Sequence, residues 1–373
     1  MTYAIIDDLA KKAQAMLEFR RYRDAGLPVP AEVRARHVAA TNDGYATGPD
    51  PGEQIPEFSL SDQHGAIRTL GDLAGPSGLF LVFHRSAEWC QYCRSQLVEL
   101  EQSRMLLERN GVHVAAISYD SQPTLASFSQ QYSIGYPLLS DRASGTIRSF
   151  GIFNHNMAPE LKAYGVPHPV EYLVSPNGTV LRKYFVPNYM HRVTSSSVAL
   201  REFSTVAEGA PSVTLKQGML TATIGFASDR AFAGQEVGFC AKFVIESGWH
   251  IYGSPLPSGY TATAVSFDDA RILRQSFHMP EETKLELSML GERLPVYGGT
   301  AEGLGSLLLE HPIPEGEIVL KARLDVQQCS DTVCEPPLSL PFDLPLRIEP
   351  FLVNERDRKL LDRQQAGQTA LRG

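Results

Sequence analysis

The chain has 373 residues, a formal net charge of −8 and only five cysteines. Its length exceeds what one ordinary core absorbs and predicts a two-domain protein with peripheral elements. The acidic balance, with a pI near 5.7, argues against nucleic acid or an anionic membrane as the main partner. No apolar stretch approaches the roughly 18–20 residues of a membrane span.

Residues 1–48 read as a helical, charged N-terminal extension. Ile6, Leu9, Ala13, Met16 and Leu17 recur at helical spacing, with Lys and Arg between them and Asp7 and Asp8 early. That pattern is a soluble amphipathic helix rather than a secretory leader, so the expected location is cytoplasmic. In a reducing compartment, paired cysteines serve catalysis or metal binding more often than they staple a fold.

From residue 49 to 192 strands and helices alternate. Leu79–Phe83 is a continuous apolar run, the pattern of a strand buried on both faces. A helix over 94–109 follows, with Leu97, Leu100 and Leu107 on its apolar side. Val112–Ser118 is a second buried strand, and Leu125, Phe128 and Tyr132 mark another helix. Two further strands flank the turn Pro176-Asn177-Gly178. The order implies an α/β sheet with helices on both faces.

A helix from Thr194 to about Val206 and the linker Gly209–Ser212 occupy residues 193–211. Residues 212–350 then change to period-two alternation. Examples are Leu220, Ala222, Ile224 and Phe226; Ile318, Leu320, Ala322, Leu324 and Val326; and Leu338, Leu340, Phe342 and Leu344. Short alternating strands between Gly- and Pro-bearing turns predict an all-β sandwich. Residues 351–373 read as a polar tail, helical or frayed.

Four of the five cysteines form two close pairs, Cys90-Gln91-Tyr92-Cys93 and Cys329 with Cys334. Such spacings allow a disulfide without large chain movement, so reversible dithiol–disulfide chemistry is the leading reading. The first pair follows a buried strand and opens a helix. Exposed N–H groups and the positive end of the helix dipole favour a thiolate at Cys90, which makes it the expected nucleophile and Cys93 the resolver.

Residues Ile55 to Tyr184 resemble the thioredoxin superfamily, in its peroxiredoxin-like (AhpC/TSA, redoxin) branch. The resemblance rests on Ile55-Pro56-Glu57-Phe58-Ser59-Leu60, Phe83-His84-Arg85-Ser86, Glu88-Trp89-Cys90-Gln91-Tyr92-Cys93, Tyr136–Asp141 and Gly165-Val166-Pro167-His168-Pro169. It implies a cis peptide bond before Pro169, with that proline lying against the redox pair. Peroxidases of the superfamily carry threonine where Ala87 stands relative to Cys90, and an arginine near the strand that Pro169 introduces. The alanine, and the lack of an arginine at that strand, favour disulfide exchange. His84 and His168 are candidate tuning groups for Cys90, or hydrogen-bonded fold residues, and Trp89 is a candidate cap.

Residues 212–348 resemble the immunoglobulin-like N-terminal domain of the thiol:disulfide interchange protein DsbD. The matching pieces are Gly248–Tyr252, Pro255–Gly259, Val296-Tyr297-Gly298 and Gln328-Cys329 through Cys334-Glu335-Pro336-Pro337. The resemblance implies a second redox pair, Cys329 and Cys334, shielded by an aromatic cap for which Tyr297 is the counterpart. Cys240, beside Phe239, reads as a small packed residue, and Trp249 and Tyr252 as sandwich core.

Three functions remain open from the sequence. One is a thiol–disulfide oxidoreductase acting on protein or small-molecule disulfides, recycled by a thiol reductant such as a thioredoxin. Another is a thiol peroxidase in which Cys90 is oxidised and Cys93 resolves it. The third is a thiolate metal-binding or interaction protein. No cofactor, metal, nucleic acid or membrane span is expected.

Overall fold

The computed structural model describes residues 14–15, 17–19, 21–22, 29–42, 47–186, 188–280, 283–287, 292–311 and 313–353. The predicted helix through Ile6, Leu9, Ala13 and Met16, and the tail beyond residue 353, lie outside them. The chain divides into two compact units, one of Met1–Arg192 with Phe351–Gly373 and one of Val193–Pro350. Among the described residues no helix is long and apolar enough to cross a membrane.

The first unit begins with helix α1 (Ala31–Asn42), followed by β1 (Leu60–Asp62), β2 (Ile67–Arg68), α2 (Leu70–Leu73) and β3 (Gly78–Phe83). Next come α3 (Gln91–Glu108), β4 (Val112–Ser118), α4 (Gln122–Tyr132), β5 (Leu138–Ser140) and α5 (Gly145–Ser149). The strands β6 (Val170–Val174) and β7 (Val180–Tyr184) complete the sheet. Its order is β2-β1-β5-β4-β3-β6-β7. The pairs β3/β4 and β4/β5 are parallel, while β6 runs antiparallel to both β3 and β7.

The apolar run forecast for β3 is buried at every position. Leu79, Leu81 and Phe83 join Ile117, Phe150 and Tyr172 in one core. Phe83 meets Phe150 at 4.7 Å between ring centroids, and each such buried side chain contributes about 1.5–3 kcal/mol. At the start of β3 only glycine fits: a Cβ on Gly78 would run into the Val174 carbonyl of β6. The Pro176-Asn177-Gly178 turn forms as expected, closed by Gly178 N–H donating to Ser175 O at 3.0 Å.

A short strand β8 (Arg192–Val193) stands at the division between the units. In the second unit helix α6 (Ser195–Phe203) is capped by Thr194, whose hydroxyl accepts the Ser197 N–H. It is shorter than predicted, stopping where Ser204 turns left-handed. The strands are β9 (Ser212–Gln217), β10 (Leu220–Phe226), β11 (Arg230–Phe232), β12 (Gln235–Ile245), β13 (Trp249–Tyr252) and β14 (Ala264–Phe267). They continue with β15 (Ile272–His278), β16 (Thr283–Leu287), β17 (Glu292–Tyr297), β18 (Thr300–Leu309), β19 (Gly316–Val326), β20 (Gln328–Ser330) and β21 (Leu338–Glu349).

Five of these strands form one sheet in the order β15-β18-β12-β10-β9. A second sheet runs β11-β21-β19-β14 and a third β16-β17-β13-β20. Alternation along β19 and β21 is as the sequence predicts: Ile318, Leu320, Leu324, Phe342, Leu344 and Leu346 face inward and their neighbours outward. Phe267 of β14 meets Phe226 of β10 and Phe239 of β12, joining the first two sheets.

Candidate redox site

Beyond Phe83 the chain keeps its ladder for one more residue, His84 N–H donating to Ile117 O at 3.1 Å. The next turn folds around the buried Asp120 carboxylate. That group accepts Ser86 Oγ–H at 2.8 Å, Ala87 N–H at 2.7 Å and Ser118 Oγ–H at 3.0 Å. The donors from Ser86 and Ala87 fix the loop that carries Trp89 and Cys90, while burial pushes the Asp120 carboxyl up from its ordinary range. Trp89 is held in turn by its indole N–H donating to Tyr119 OH at 2.9 Å.

Cys90 is the N-cap residue of α3, and Cys93 lies in the first turn. The Cys93 side chain is wholly buried and its sulfur accepts two donors, Arg85 N–H at 3.3 Å and Arg192 Nη2–H at 3.5 Å. The donors that favour a thiolate therefore converge on the other sulfur, not on Cys90. Burial pushes the Cys90 thiol well above the ordinary range, and the neighbouring Cys93 sulfur adds to the shift. Burial opposes charge on Cys93 as well. The hydrogen bond from Cys90, the Arg192 guanidinium and His84 outweigh it and hold Cys93 well below that range.

Arg192 is the cation at the cysteine pair that sequence reasoning missed. It stands beyond β7, near Tyr189, rather than at the strand after Pro169. Its guanidinium is anchored by Gln96 Oε1 at 2.9 Å and by the Tyr189 and His191 carbonyls at 2.6 Å each. Gln96 also donates to Glu171 Oε1 at 2.5 Å. Burial pushes the Glu171 carboxyl up to about 7, with Arg192 pulling the other way. A sequence signal for Glu171 did exist: it is a lone charge within the buried strand β6.

The bond before Pro169 is trans, which corrects the expectation of a cis bond; among the described residues only Ser254–Pro255 is cis. The approach to β6 is pinned as extended chain, with Asn154 N–H donating to Val166 O at 3.0 Å and His168 N–H to Ile152 O at 2.7 Å. A trans bond continues that path into the strand. Pro169 is buried. His84 is fully buried and neither ring nitrogen has a hydrogen-bond partner; burial lowers its pKa. Burial, reinforced by Arg85, pushes His168 down to about 3 and keeps it neutral.

Phe351 and Leu352, where the sequence placed the start of a polar tail, lie against α3. Arg94 Nε–H donates to Leu352 O at 2.8 Å, and Phe351 meets Tyr92 edge to face at 5.5 Å. Arg94 also donates to Ala87 O at 2.7 Å and to Tyr132 OH at 2.8 Å. This residue ties the active loop to the end of the unit.

In the second unit Cys329 and Cys334 are joined as a disulfide, with Cα atoms 4.2 Å apart. Cys329 lies in β20 opposite His250 of β13. The intervening turn closes through Ser330 N–H to Val333 O at 2.7 Å and Glu335 N–H to Gln328 O at 2.9 Å. Cys329 is buried among Tyr252, Leu294 and Val296, while Cys334 is exposed. The aromatic group against the pair is Tyr252, its hydroxyl 3.5 Å from Cys334 Sγ. Tyr297 sits in β17 opposite Ile251, with its hydroxyl donating to Pro280 O at 2.8 Å. Cys240 lies in β12 opposite Leu304 and Gly225, partly buried, as a packed residue would. Among the described residues no cluster of three or more His, Cys, Asp or Glu side chains is arranged to hold a metal ion.

Residues 51–183 match the AhpC/TSA family, and the first unit has its thioredoxin-like fold. The thiol-disulfide oxidoreductase ResA of Bacillus thuringiensis subsp. konkukian is 23% identical over 133 residues, covering 35% of this chain and 68% of that protein. The putative peroxiredoxin bcp of Haemophilus influenzae is 26% identical over 133 residues, covering 36% and 84%. Alkyl hydroperoxide reductase E of Mycobacterium bovis is 30% identical over 105 residues, covering 28% and 68%. Among solved structures, peroxidoxin BcpB from Mycobacterium tuberculosis aligns with a TM-score of 0.34 and 21% identity, over 38% of this chain and 89% of that one.

Proposed function

We propose that this chain, which belongs to the AhpC/TSA family through residues 51–183, is a thiol–disulfide oxidoreductase working through Cys90 and Cys93. Thiol-based redox chemistry is common to its relatives. The observation that carries the finer reading is the division of labour within the pair. Cys93 holds the negative charge under Arg192 and Arg85 N–H, while Cys90 stands at the helix start as a neutral thiol with Cys93 as its hydrogen-bond acceptor.

As Cys90 sulfur attacks a substrate disulfide, its proton passes to Cys93. The new Cys90–substrate disulfide forms, the substrate S–S bond breaks, and a thiolate leaves. That thiolate takes the proton from Cys93, which then attacks Cys90 sulfur and expels the second substrate thiolate. The protein pair, entering as one thiol and one thiolate, is oxidised to a disulfide, and one substrate disulfide is reduced to a thiol and a thiolate that takes its proton from solvent. A thiol reductant such as a thioredoxin, in a reducing cytoplasm, returns the pair to the dithiol.

The second unit enters this reading as a resemblance to the immunoglobulin-like domain of DsbD. Its Cys329–Cys334 disulfide is the proposed second station, entered at Cys334, the exposed residue of the pair. The Cys93→Ser variant tests both parts. It traps a mixed disulfide on Cys90, and mass spectrometry identifies the captured sulfur. Capture of Cys334 supports exchange between the two pairs, and capture of an added disulfide supports exchange with substrate alone. No adduct under excess disulfide removes the reading.

A peroxidase is the second reading, favoured by the Arg192 contact with Cys93 sulfur. There the roles expected from the sequence are exchanged. Cys93 thiolate attacks a peroxide and becomes a sulfenic acid, the proton of Cys90 going to the departing alkoxide or hydroxide. Cys90 thiolate then condenses with the sulfenic acid, expelling hydroxide that takes a proton from solvent. Rapid, catalytic peroxide consumption with a thiol donor would place this reading first.

A further inference from the structure

Three arginines of the described chain are buried, and two of them are fully engaged. Arg94 donates to three carbonyls and a hydroxyl, and Arg192 to a side-chain amide, two carbonyls and a sulfur. Arg85 differs. It is 8% exposed, its Nε is buried without an acceptor, and among the described residues no carboxylate pairs with it. Its guanidinium is instead gripped between two ring faces, 5.1 Å from the centroid of Trp89 and 4.5 Å from that of Tyr189. Both rings are themselves fixed, Trp89 by Tyr119 OH and Tyr189 by its hydroxyl 3.0 Å from His37 Nε2.

Ring faces stabilise a cation but supply no lone pair in the plane of its N–H groups. A desolvated guanidinium held in that way is costly unless an anion completes it. The neighbouring groups do not provide one. Cys90 is a neutral thiol in the resting pair, and His168 is a neutral imidazole. The thiolate at Cys93 and the carboxyl of Glu171 are already served by Arg192.

We propose that Arg85 receives the carboxylate of the substrate, and that the disulfides reduced here are small molecules bearing a carboxylate near the S–S bond. The inference rests on the exchange activity proposed above and names its substrate class. A planar guanidinium held over two ring faces carries the fork of N–H groups that matches a carboxylate in two parallel hydrogen bonds. Its position beside Cys90 orients the ligand so that the disulfide meets that sulfur. The slight exposure of both Arg85 and Cys90 suits a slender, flexible acid rather than a broad protein surface.

Dithiodipropionate and its dimethyl ester separate charge from shape. The wild-type protein reduces the diacid with a kcat/KM at least about tenfold above the ester, a preference that shrinks with added salt. Arg85→Gln abolishes the preference and Arg85→Lys restores part of it. Loss of rate on both substrates in equal proportion, or an undiminished preference in Arg85→Gln, overturns the proposal, because Arg85 would then act on the cysteines alone. Calorimetric binding of the two compounds to the Cys90→Ser variant supplies a readout free of turnover. If the wild type reduces neither compound, the exchange activity falls. Tighter binding of the diacid to Cys90→Ser, lost on adding Arg85→Gln, would still sustain the carboxylate site, and equal binding of diacid and ester would end it.

Discussion

Replacing Arg192 by methionine should move the charge out of the cysteine pair. At 3.5 Å from Cys93 Sγ and an effective dielectric constant near 20, the guanidinium–thiolate attraction is about 5 kcal/mol. Arg85 N–H still donates after the change, and Glu171, already pushed up to about 7, takes a proton instead of standing as an unpaired charge. The pKa of Cys93 is therefore expected to rise by about two to three, somewhat less than the full attraction gives. The assay is the ultraviolet thiolate absorbance in a Cys90→Ser, Cys240→Ala background. With Cys329 and Cys334 joined, Cys93 is then the sole free thiol, and the serine introduced in place of Cys90 keeps a hydroxyl to donate. Arg192→Lys keeps the charge and should recover most of the shift. A Cys93 pKa in Arg192→Met within about half of one of the parent value would refute the assignment of the anion to Cys93.

Three further outcomes follow from contacts elsewhere. Glu171 has a folded pKa of about 7 against an ordinary 4.5, so the native state binds its proton more tightly than the unfolded chain. Stability then falls as pH rises through that window, by roughly 3 kcal/mol, and Glu171→Gln should flatten the fall in urea unfolding measured on either side of it. Arg94→Met strands the Ala87 and Leu352 carbonyls and the Tyr132 hydroxyl; it should cost about 2–4 kcal/mol in chemical denaturation and speed hydrogen exchange over residues 87–90. After reduction of the second pair, iodoacetamide should label exposed Cys334 roughly tenfold or more ahead of buried Cys329, read by peptide mass spectrometry.

Periodicity made most of the fold legible. The run Leu79–Phe83 could only be a strand covered on both sides, and the alternation of β19 and β21 fixed which of their residues face inward. The position of Cys90 and Cys93 at a helix start was also plain, because a buried strand leads directly into the pair. What the sequence hid was long-range pairing. Arg192 reaches Cys93 across 99 residues of chain, and no local pattern links the two. Arg85, by contrast, lies within the Phe83–Cys93 motif itself; its significance rests on partners it lacks, which only packing reveals. The trans bond before Pro169 is a similar case, since the chain entering it is held by His168 N–H donating to the Ile152 carbonyl and by Asn154 N–H donating to the Val166 carbonyl, with Ile152 and Asn154 distant in sequence from the proline.

The helix start failed to decide which sulfur is charged for a reason that magnitudes make clear. A helix terminus contributes about 0.3–1 kcal/mol to an anion at an exposed site and up to about 2 in partly buried geometry. Cys90 gains that much but sits 3% exposed, with no side-chain hydrogen bond to the helix, so desolvation overrides it. Cys93 has two N–H donors in direct contact with sulfur, one of them on a full cation. Direct contact at 3.5 Å outweighs a diffuse half-charge, and the thiolate moves one turn into the helix. Reach and charge thereby fall on different atoms of the same pair. In the exchange proposed above, a substrate that arrives at Cys90 meets a thiol whose base is already in place behind it, and a carboxylate at Arg85 would dock without contending with an exposed thiolate.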